Sequence, residues 1–334
     1  MKKSADRLVP ALIALLAILA LMSLTIGSVS LSPGALWRGV TGEDRIAQLI
    51  LIDIRLPRTV LALAVGFVLG LSGATLQGLL RNPLADPALF GAPQAAALGA
   101  VLVLYTGLVE ALSFALPFAA LAGALVSVFL VLAIAGRLAG VTTLILAGLA
   151  IASLAAALTS IVINLSANPF AVTEIVFWLL GSFEDRSLRH VAMAAPFMLV
   201  GSYLLLRAGE TLRALTLGEE AAESLGLSLQ RERILVVLGV ACALGGAVSV
   251  SGAIGFVGLV APHLVRDRVK GDPKAVLWPA ALTGAALTLG ADMLARLIPA
   301  PTELKVGALT ALMGVPFFLA IIARRRGAVA AEAS

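Results

Sequence analysis

Residues 8–30 read LVPALIALLAILALMSLTIGSVS, an apolar run that closely follows Lys2, Lys3 and Arg7. A helix of this length extends about 35 Å, which is enough to cross the roughly 30 Å hydrocarbon core of a bilayer. The run is too long for the apolar part of a cleaved signal peptide. We therefore predict that it forms an uncleaved first membrane helix.

The composition of the whole chain agrees with this interpretation. Of its 334 residues, 60% are hydrophobic and only 13% are charged, and the mean hydropathy is +1.05. An average soluble domain carries about 25% charged residues, so this chain has too little polar material to cover a water-facing surface. We expect an all-α, polytopic membrane protein with a single transmembrane domain over residues 1–334.

The few cysteines and histidines limit the metal chemistry of the chain. Its single cysteine, Cys242, excludes an internal disulfide and a cysteine cluster. Its two histidines, His190 and His263, are far apart in the sequence. We therefore expect no metal centre and no cofactor held by this chain alone.

Nine further apolar segments follow the first one and bring the predicted number of membrane helices to about ten. They are 59–80, 91–109, 114–136, 142–165, 191–206, 233–251, 254–268, 275–297 and 304–323. The 254–268 segment is short, but it must cross the membrane if the ends of the later segments are to lie on alternating sides. Another apolar segment, 171–183, is too short to span, so we predict that it is re-entrant or interfacial.

The positions of the basic residues predict the orientation. With the N-terminus inside, 16 of the 24 Lys and Arg residues lie on the cytoplasmic side, as membrane insertion favours. The eight predicted outside are Arg38, Arg45, Arg55, Arg58, Arg186, Arg189, Arg296 and Lys305. Both termini are then cytoplasmic. Because the basic residues are dispersed among loops near the membrane, the net charge of +5 does not indicate nucleic-acid binding.

Glycines recur at helical spacing in two places, Gly66-Gly70-Gly73 and Gly252-Gly255-Gly258. Small residues at such spacing allow close helix packing in lipid, although hinges for transport motion are the alternative. The strings SGATLQGLL (72–80) and SGAIGFVGLV (251–260) are also similar. They indicate either an inverted internal repeat, as is common in transporters, or a chance match between glycine-rich strings.

Several functional classes are disfavoured by the polar residues. The chain has no Gly-Lys dipeptide, so it lacks a phosphate-binding G-x-x-x-x-G-K-[ST] loop. Ionisable residues well inside the predicted spans are few, with Asp292 and Glu174 as candidates. Asp292 precedes Arg296 by one helical turn, which favours a local ion pair over a proton relay. The small number of ionisable residues inside the spans argues against an ion-coupled secondary carrier, which is the alternative to an ATP-driven transporter. The sequence also has no paired carboxylates or histidine cluster that would suit a lipid-modifying enzyme.

Three amide side chains also lie within predicted spans, namely Gln77, Gln94 and Asn164. We predict that they form hydrogen bonds between helices, with lining of a transport pathway as the alternative.

The longest polar stretch, 207–233, is predicted to be cytoplasmic. Within it, residues 216–226 read TLGEEAAESLG, in which Glu219 and Glu220 open a short helix and Gly226 follows its end. Together with Glu223, these acidic residues disfavour binding to an anionic membrane surface. The stretch therefore favours contact with a protein partner.

A series of short motifs runs along residues 50–323. The first motifs are RLPR (55–58), SGA (72–74), Gln77 and NPLADP (82–87). The later ones are LAG (146–148), WLLGS (178–182), LGE (217–219) with Leu225-Gly226, GFVGLVAPH (255–263) with Arg266, Asp292 to Arg296, and GVPF (314–317). In this order the motifs resemble those of the permease subunits of ABC importers for iron chelates and vitamin B12. The resemblance is specific because several independent motifs occur in one order. Lys305, where relatives have a proline, and Ala95, where they commonly have a glycine, depart from the family pattern.

The resemblance implies a type II importer permease in a bacterial inner membrane. It would work as a homodimer with two ATPase subunits, which bind ATP and magnesium, and with a periplasmic binding protein. By frequency within the family, its cargo would be a ferric siderophore first, then haem, then vitamin B12.

The resemblance also assigns roles to residues. It implies binding-protein docking at Arg55, Arg58 and Arg296, and a cytoplasmic gate near Asn82, Leu84, Val141 and Thr142. The ATPase-coupling residues that it implies are Leu217, Gly218, Glu219, Glu220, Ala221, Ala222, Leu225 and Gly226.

Overall fold

The computed structural model describes residues 2–27, 29, 31–108, 114–136, 140–166, 169–300, 302–316 and 319. These residues form helices and loops, and no strand occurs among them. The first helices are α1 (Lys2–Thr25), α2 (Pro33–Thr41), α3 (Arg45–Leu49), α4 (Leu56–Leu79), α5 (Ala92–Tyr105), α6 (Ala115–Ala135) and α7 (Val141–Leu165). They are followed by α8 (Pro169–Leu179), α9 (Leu188–Arg207), α10 (Gly209–Leu215), α11 (Glu219–Ser224), α12 (Leu229–Ser251), α13 (Val257–Arg266) and α14 (Leu277–Leu297). The last described helix, α15, covers Val306–Pro316.

Seven helical stretches in the described part are long and apolar enough to cross a membrane. They are Arg7–Thr25, Arg45–Leu79, Ala115–Ala135, Thr142–Leu165, Leu188–Leu215, Leu229–Ser251 and Leu277–Leu297. Two shorter apolar helices, α5 and α15, lie in further predicted spans. The prediction of a multi-pass helical membrane protein is therefore confirmed. The predicted span 304–323 extends past α15 into residues that, except for 319, lie outside the described ones.

We name the two ends of the helix bundle after the predicted orientation. The outer end holds Arg58, Asp292 and Lys305, and the inner end holds the 207–233 segment. Helix α4 runs from the outer to the inner end at the centre of the bundle, where it packs mainly against α14.

Close backbone contacts fix the position of α4. A Cβ atom added at Gly66 or Gly70 would lie 2.4 or 2.3 Å from a carbonyl oxygen of α14, and one at Gly73 would lie 1.8 Å from the carbonyl oxygen of Gly258 on α13. Only glycine leaves room for such approach, and small residues are the usual means of close helix packing in lipid. The packing interpretation of these three glycines is confirmed.

The predicted crossing at 254–268 is not one helix. Helix α12 ends at Ser251, residues 252–256 are not helical, and α13 has only ten residues. The helix covers about 15 Å and five extended residues add about 16 Å, so together they can cross the bundle. Gly252 and Gly255 lie in the unwound part, and Gly258 lies on α13. The predicted close backbone approach is confirmed at Gly252, where an added Cβ atom would lie 2.1 Å from the carbonyl oxygen of Trp178, and at Gly258, but not at Gly255, where it would meet no atom within 4 Å. The strings 72–80 and 251–260 consequently differ in local structure.

A second interrupted stretch joins α4 to α5. After Leu79 the chain forms a turn and a short 3-10 helix, Pro87–Phe90, before the 14-residue α5 begins. A Cβ atom at Gly258 would lie 2.7 Å from the ring of Pro87 and 3.1 Å from the carbonyl oxygen of Leu69. Leu69 is ten residues, or about 15 Å, before the inner end of α4. The 80–91 stretch therefore returns into the bundle and meets the unwound 252–256 stretch there.

Helix α8 has 11 residues and covers most of the predicted short segment 171–183. It rises only about 16 Å, so the prediction that this segment is too short to span is confirmed. Whether it is re-entrant or interfacial stays a prediction.

The stretch between α1 and α4 was not predicted to be helical, and it contains two short helices and a π-helical turn. Ser32 caps α2, which has Pro33 at its first position, and Asp44 accepts hydrogen bonds from two backbone N–H groups of α3. The π-helical turn, Ile50–Arg55, leads directly into α4. Its last residue, Arg55, is thereby placed beside the end of α1.

Candidate functional sites at the two ends of the bundle

The outer end contains a buried network of charged side chains around Asp292. Arg58 on α4 donates from Nε to Asp292 Oδ1 on α14 at 2.9 Å, and from Nη1 to Glu303 Oε2 at 3.0 Å. Its Nη2 also contacts both carboxylates. Asp292 is fully buried and Arg58 is 7% exposed. Such a pair is retained only where hydrogen bonds and opposite charge offset the loss of water.

Arg296 completes this network. Its Nη2 lies 2.8 Å from Asp292 Oδ2, and its Nη1 donates to the carbonyl oxygens of Ser23 and Ile26 at 2.9 and 3.0 Å. The predicted ion pair between Asp292 and Arg296 is therefore confirmed. The participation of Arg58 and Glu303 was not predicted, because Arg58, which joins both carboxylates, is more than 230 positions away from them in sequence.

Arg55 is held differently from the other two arginines. Its guanidinium donates to the carbonyl oxygens of Leu24 at 2.8 Å, Thr25 at 3.1 Å and Val29. The last carbonyls of a helix lack partners within that helix, so Arg55 and Arg296 together satisfy the end of α1. Among the described residues, no carboxylate forms an ion pair with Arg55.

All three arginines line one cavity at the outer end. It has a volume of about 540 Å³ and is also lined by Glu184, Glu303 and apolar residues of the stretch after α1, the π-helical turn and α14. Arg55 and Arg58 line this cavity although they are only 3% and 7% exposed. The cause is that these side chains have partners within the chain. Docking itself stays a prediction.

Lys305, the departure from the family pattern, has a defined partner. Its Nζ lies 2.6 Å from Glu184 Oε2 and 5.1 Å from the centre of the Phe177 ring. The lysine thus ties the stretch before α15 to the loop after α8. Both of these stretches adjoin the outer cavity.

At the inner end, a short helix lies within the predicted 216–226 segment, which confirms that part of the prediction. Helix α11 has six residues and is flanked by Gly218, with φ of 113°, and Gly226, with φ of 85°. Leu217 and Leu225 are 71% and 66% exposed, whereas Ala222 is fully buried. The helix is therefore seated on its own chain through Ala222 and presents two leucines outward.

Ion pairs attach this segment to the rest of the bundle. Glu219 Oε1 lies 2.7 Å from Arg233 Nη2 on α12. On the preceding helix α10, Arg213 contacts Asp272 at 2.6 Å and Glu210 contacts Lys274, which precedes α14. Partial burial would raise the pKa of Asp272, but hydrogen bonds from Arg213 and two backbone N–H groups outweigh it and lower that pKa. The carboxylate is thus stabilised in its charged form.

The predicted gate residues come from two loops. Asn82 Oδ1 accepts a hydrogen bond from the backbone N–H of Leu84 at 3.0 Å, which forms a turn after α4. Both residues are exposed, as is Thr142 in the first turn of α7. Val141 begins α7, and its side chain lies outside the described part. No hydrogen bond between the two loops occurs among the described residues.

Gln77 and Asn164 differ in how they use their amide groups. Gln77 is 1% exposed, accepts from Arg266 Nη2 at 2.5 Å and lies 3.4 Å from the carbonyl oxygen of Leu259. Its predicted role in joining helices is confirmed. Asn164 donates to Ser160 of its own helix at 2.8 Å, so the prediction is wrong there.

An apolar helix bundle with glycine contacts, interrupted crossings and charged clusters at both ends is typical of membrane transport proteins. Residues 15–324 match the FecCD transport family. The chain belongs to this family.

Curated relatives are similar over almost the whole chain. The hemin transport system permease protein HmuU of Yersinia pestis is 38% identical over 94% of this chain and 95% of the relative. The vitamin B12 import system permease protein BtuC of Klebsiella pneumoniae subsp. pneumoniae is 35% identical over 94% and 92%, respectively. The uncharacterized ABC transporter permease protein YvrB of Bacillus subtilis is 40% identical over 86% and 82%.

A solved structure has the same fold. It is described as an inward-facing conformation of a metal-chelate type ABC transporter, and it matches with a TM-score of 0.85 and 32% identity. The match covers 96% of this chain and 99% of the other. The predicted all-α importer permease fold is confirmed by this similarity.

Proposed function

We propose that this chain is the membrane permease subunit of an ATP-driven importer for a metal chelate. The observation that carries the proposal is the whole-length similarity to permeases named for hemin and vitamin B12. We place a ferric siderophore first as cargo, followed by haem and then vitamin B12. The chain itself performs no chemical reaction in this proposal.

The proposed assembly contains two copies of the permease, two ATPase subunits and a periplasmic binding protein in a bacterial inner membrane, with both termini of the permease in the cytoplasm. ATP and magnesium bind to the ATPase subunits. The absence of a phosphate-binding loop in this chain supports that division of labour.

The ATPase contact in this proposal is the segment from Leu217 to Gly226. Two exposed leucines flank α11 and offer apolar surface to a partner, while Glu219 and Glu220 add charge at the start of the helix. Movement of α11 passes to α12 through Arg233, and movement of α10 passes to the start of α14 through Lys274. The segment is therefore a mechanical connection as well as a contact surface.

The binding-protein dock in this proposal is the 540 Å³ outer cavity. Arg58 and Arg296 already share Asp292 and Glu303, so their positive charge is largely balanced within the chain. Arg55 has carbonyl partners only, so an acidic side chain entering the cavity meets its charge directly. Among the three predicted arginines, Arg55 is therefore expected to contribute most to docking.

The gate in this proposal lies at the inner end, near Asn82, Leu84, Val141 and Thr142. Its support is the exposure of Asn82 and Leu84 in the turn after α4 and of Thr142 in the first turn of α7.

The test of the proposed cargo is uptake into proteoliposomes that hold the permease with its cognate ATPase and binding protein. Ferric siderophore, haem and vitamin B12 are offered in turn. We expect uptake of one of them, saturable and dependent on the binding protein. Uptake of none of the three, by an assembly that hydrolyses ATP, would contradict the chelate assignment.

A further inference from the structure

The two interrupted stretches enclose a cavity inside the bundle. It has a volume of about 140 Å³, and its lining includes Asp86, Gln94, Leu69, Val248 and the unwound residues Ala253 to Gly255. Leu69 lies about 15 Å from the inner end of α4, so the cavity is well within the bundle. It is separate from the outer cavity, with which it shares no lining residue.

Asp86 is the acidic side chain in the lining of this cavity. Its Oδ1 accepts a hydrogen bond from the backbone N–H of Ala88 at 2.8 Å. None of the ion pairs in the described part involves Asp86. It is also the one ionisable side chain among the described residues that line the cavity. An unbalanced carboxylate inside a membrane protein is costly and usually marks a functional position.

Gln94 is a second observation that points to a ligand. Its Oε1 is buried and has no hydrogen-bond donor in the described part of the chain. The cavity is therefore lined by two side chains that offer oxygen atoms. It is also lined by Ala253 and Ile254 of the unwound stretch, whose backbone carbonyls accept no helical hydrogen bond in the described part of the chain. Leaving a buried acceptor without a partner costs free energy, and a bound cation removes that cost.

We propose that this cavity binds one sodium ion. Sodium is a hard cation that prefers oxygen ligands, and a single carboxylate is balanced by a single positive charge rather than by two. Unwound backbone at a helix interruption is a recurrent source of ligands for sodium in transporters. The volume also leaves room for a few water molecules, each of which occupies about 30 Å³, to complete the coordination.

The ion would hold the 86–94 stretch and the 253–258 stretch together, since both line the cavity. Sodium binding should then stabilise the folded chain, because any ligand that binds only the folded state does so. The role is structural and independent of which chelate is carried.

The experiment measures binding of ²²Na⁺ to the purified full-length chain in detergent micelles, together with thermal unfolding in sodium chloride and in choline chloride at equal ionic strength. We expect one ion per chain and a higher unfolding temperature in sodium chloride. Asp86→Asn removes a charged ligand and should weaken binding at least about tenfold. Asp53→Asn, which alters an exposed carboxylate at the outer end, should leave binding unchanged.

A second variant covers the case in which Asp86→Asn does not fold. Gln94→Leu keeps the carboxylate, and we expect it to weaken sodium binding as well. The proposal is overturned if the wild-type chain binds no ²²Na⁺, or if Asp53→Asn reduces binding as much as Asp86→Asn does. It is also overturned if unfolding responds to pH but not to sodium, because Asp86 is then protonated or paired with the Gln94 amide.

Discussion

Arg58 shows how much a single buried side chain can hold together. It joins α4 to Asp292 on α14 and to Glu303 before α15, with both carboxylates more than 230 positions away in sequence. Removing one member of a buried ion pair leaves an uncompensated charge, which costs more than the pair itself contributes.

We predict that Arg58→Gln lowers the free energy of unfolding by about 3–5 kcal/mol. The matched control is Arg213→Gln, because Arg213 also pairs with carboxylates but is half-exposed. Its loss should cost no more than about 1 kcal/mol. Chemical unfolding in mixed micelles measures both, and equal effects would contradict the assignment of Arg58 as a buried centre of the network.

Docking is also tested at single residues. We predict that Arg55→Gln weakens binding of the loaded binding protein by at least about tenfold, because a charge-assisted contact in the cavity is lost. Arg45→Gln removes the same charge from an exposed position on α3 and should change binding little. Binding to the permease in nanodiscs, followed at several salt concentrations, measures this. Equal losses in the two variants would indicate general charge attraction instead of a contact at Arg55.

The contact between α4 and α14 depends on glycine. At Gly66, an added Cβ atom would lie 2.4 Å from the carbonyl oxygen of Gly284, and two helices would have to separate. We predict that Gly66→Ala destabilises the chain by about 1–3 kcal/mol. Gly290→Ala, on α14, meets no atom within 4 Å and should be neutral or slightly stabilising, since alanine favours a helix. The unfolding temperatures of the two variants check this, and equal temperatures would contradict close packing at Gly66.

The coupling role of the 217–226 segment is tested through its turns. Gly226 has φ of 85° with no atom near its missing side chain, so Gly226→Val alters the turn after α11 without a clash. We predict that chelate uptake per ATP hydrolysed falls at least about fivefold, and that Glu219→Ala has the same direction of effect. Gly42→Val, at another glycine of positive φ in the loop after α2, is the control and should keep normal coupling. Normal coupling in Gly226→Val and Glu219→Ala would exclude the segment as the connection.

Hydropathy predicted the elements well wherever one helix crosses the membrane, as in α6, α7 and α14, because length and apolar content alone decide such a crossing. The unwound 252–256 stretch could not be predicted in this way. Its residues are as apolar as those of a membrane helix. The helical conformation is interrupted at Phe256, which has a φ of 66°, in the left-handed region that a bulky side chain disfavours. The π-helical turn before α4 depends on hydrogen-bond register, which hydropathy does not report.

On the scale of the whole molecule, the order of motifs predicted the fold and family, because each motif occupies its own helix or turn. The same motifs could not predict how Arg58, Asp292 and Glu303 meet, since only the packing of α4 against α14 brings them together. They also could not show that the guanidinium groups of Arg55 and Arg296 donate hydrogen bonds to backbone carbonyls at the end of α1. The sequence can therefore predict which residues belong to a candidate site. Only the structure shows which of their charges already have a partner within the chain and which could bind a partner protein.

The central claim is that transport through this chain is driven by ATP hydrolysis on a partner. The most direct measurement compares chelate uptake into proteoliposomes with ATP, without ATP, and with an ATPase variant that binds but does not hydrolyse it. The account predicts uptake only with ATP and the active ATPase, and no response to an imposed sodium or proton gradient. Uptake that follows such a gradient and ignores ATP would contradict the account and would favour an ion-coupled carrier.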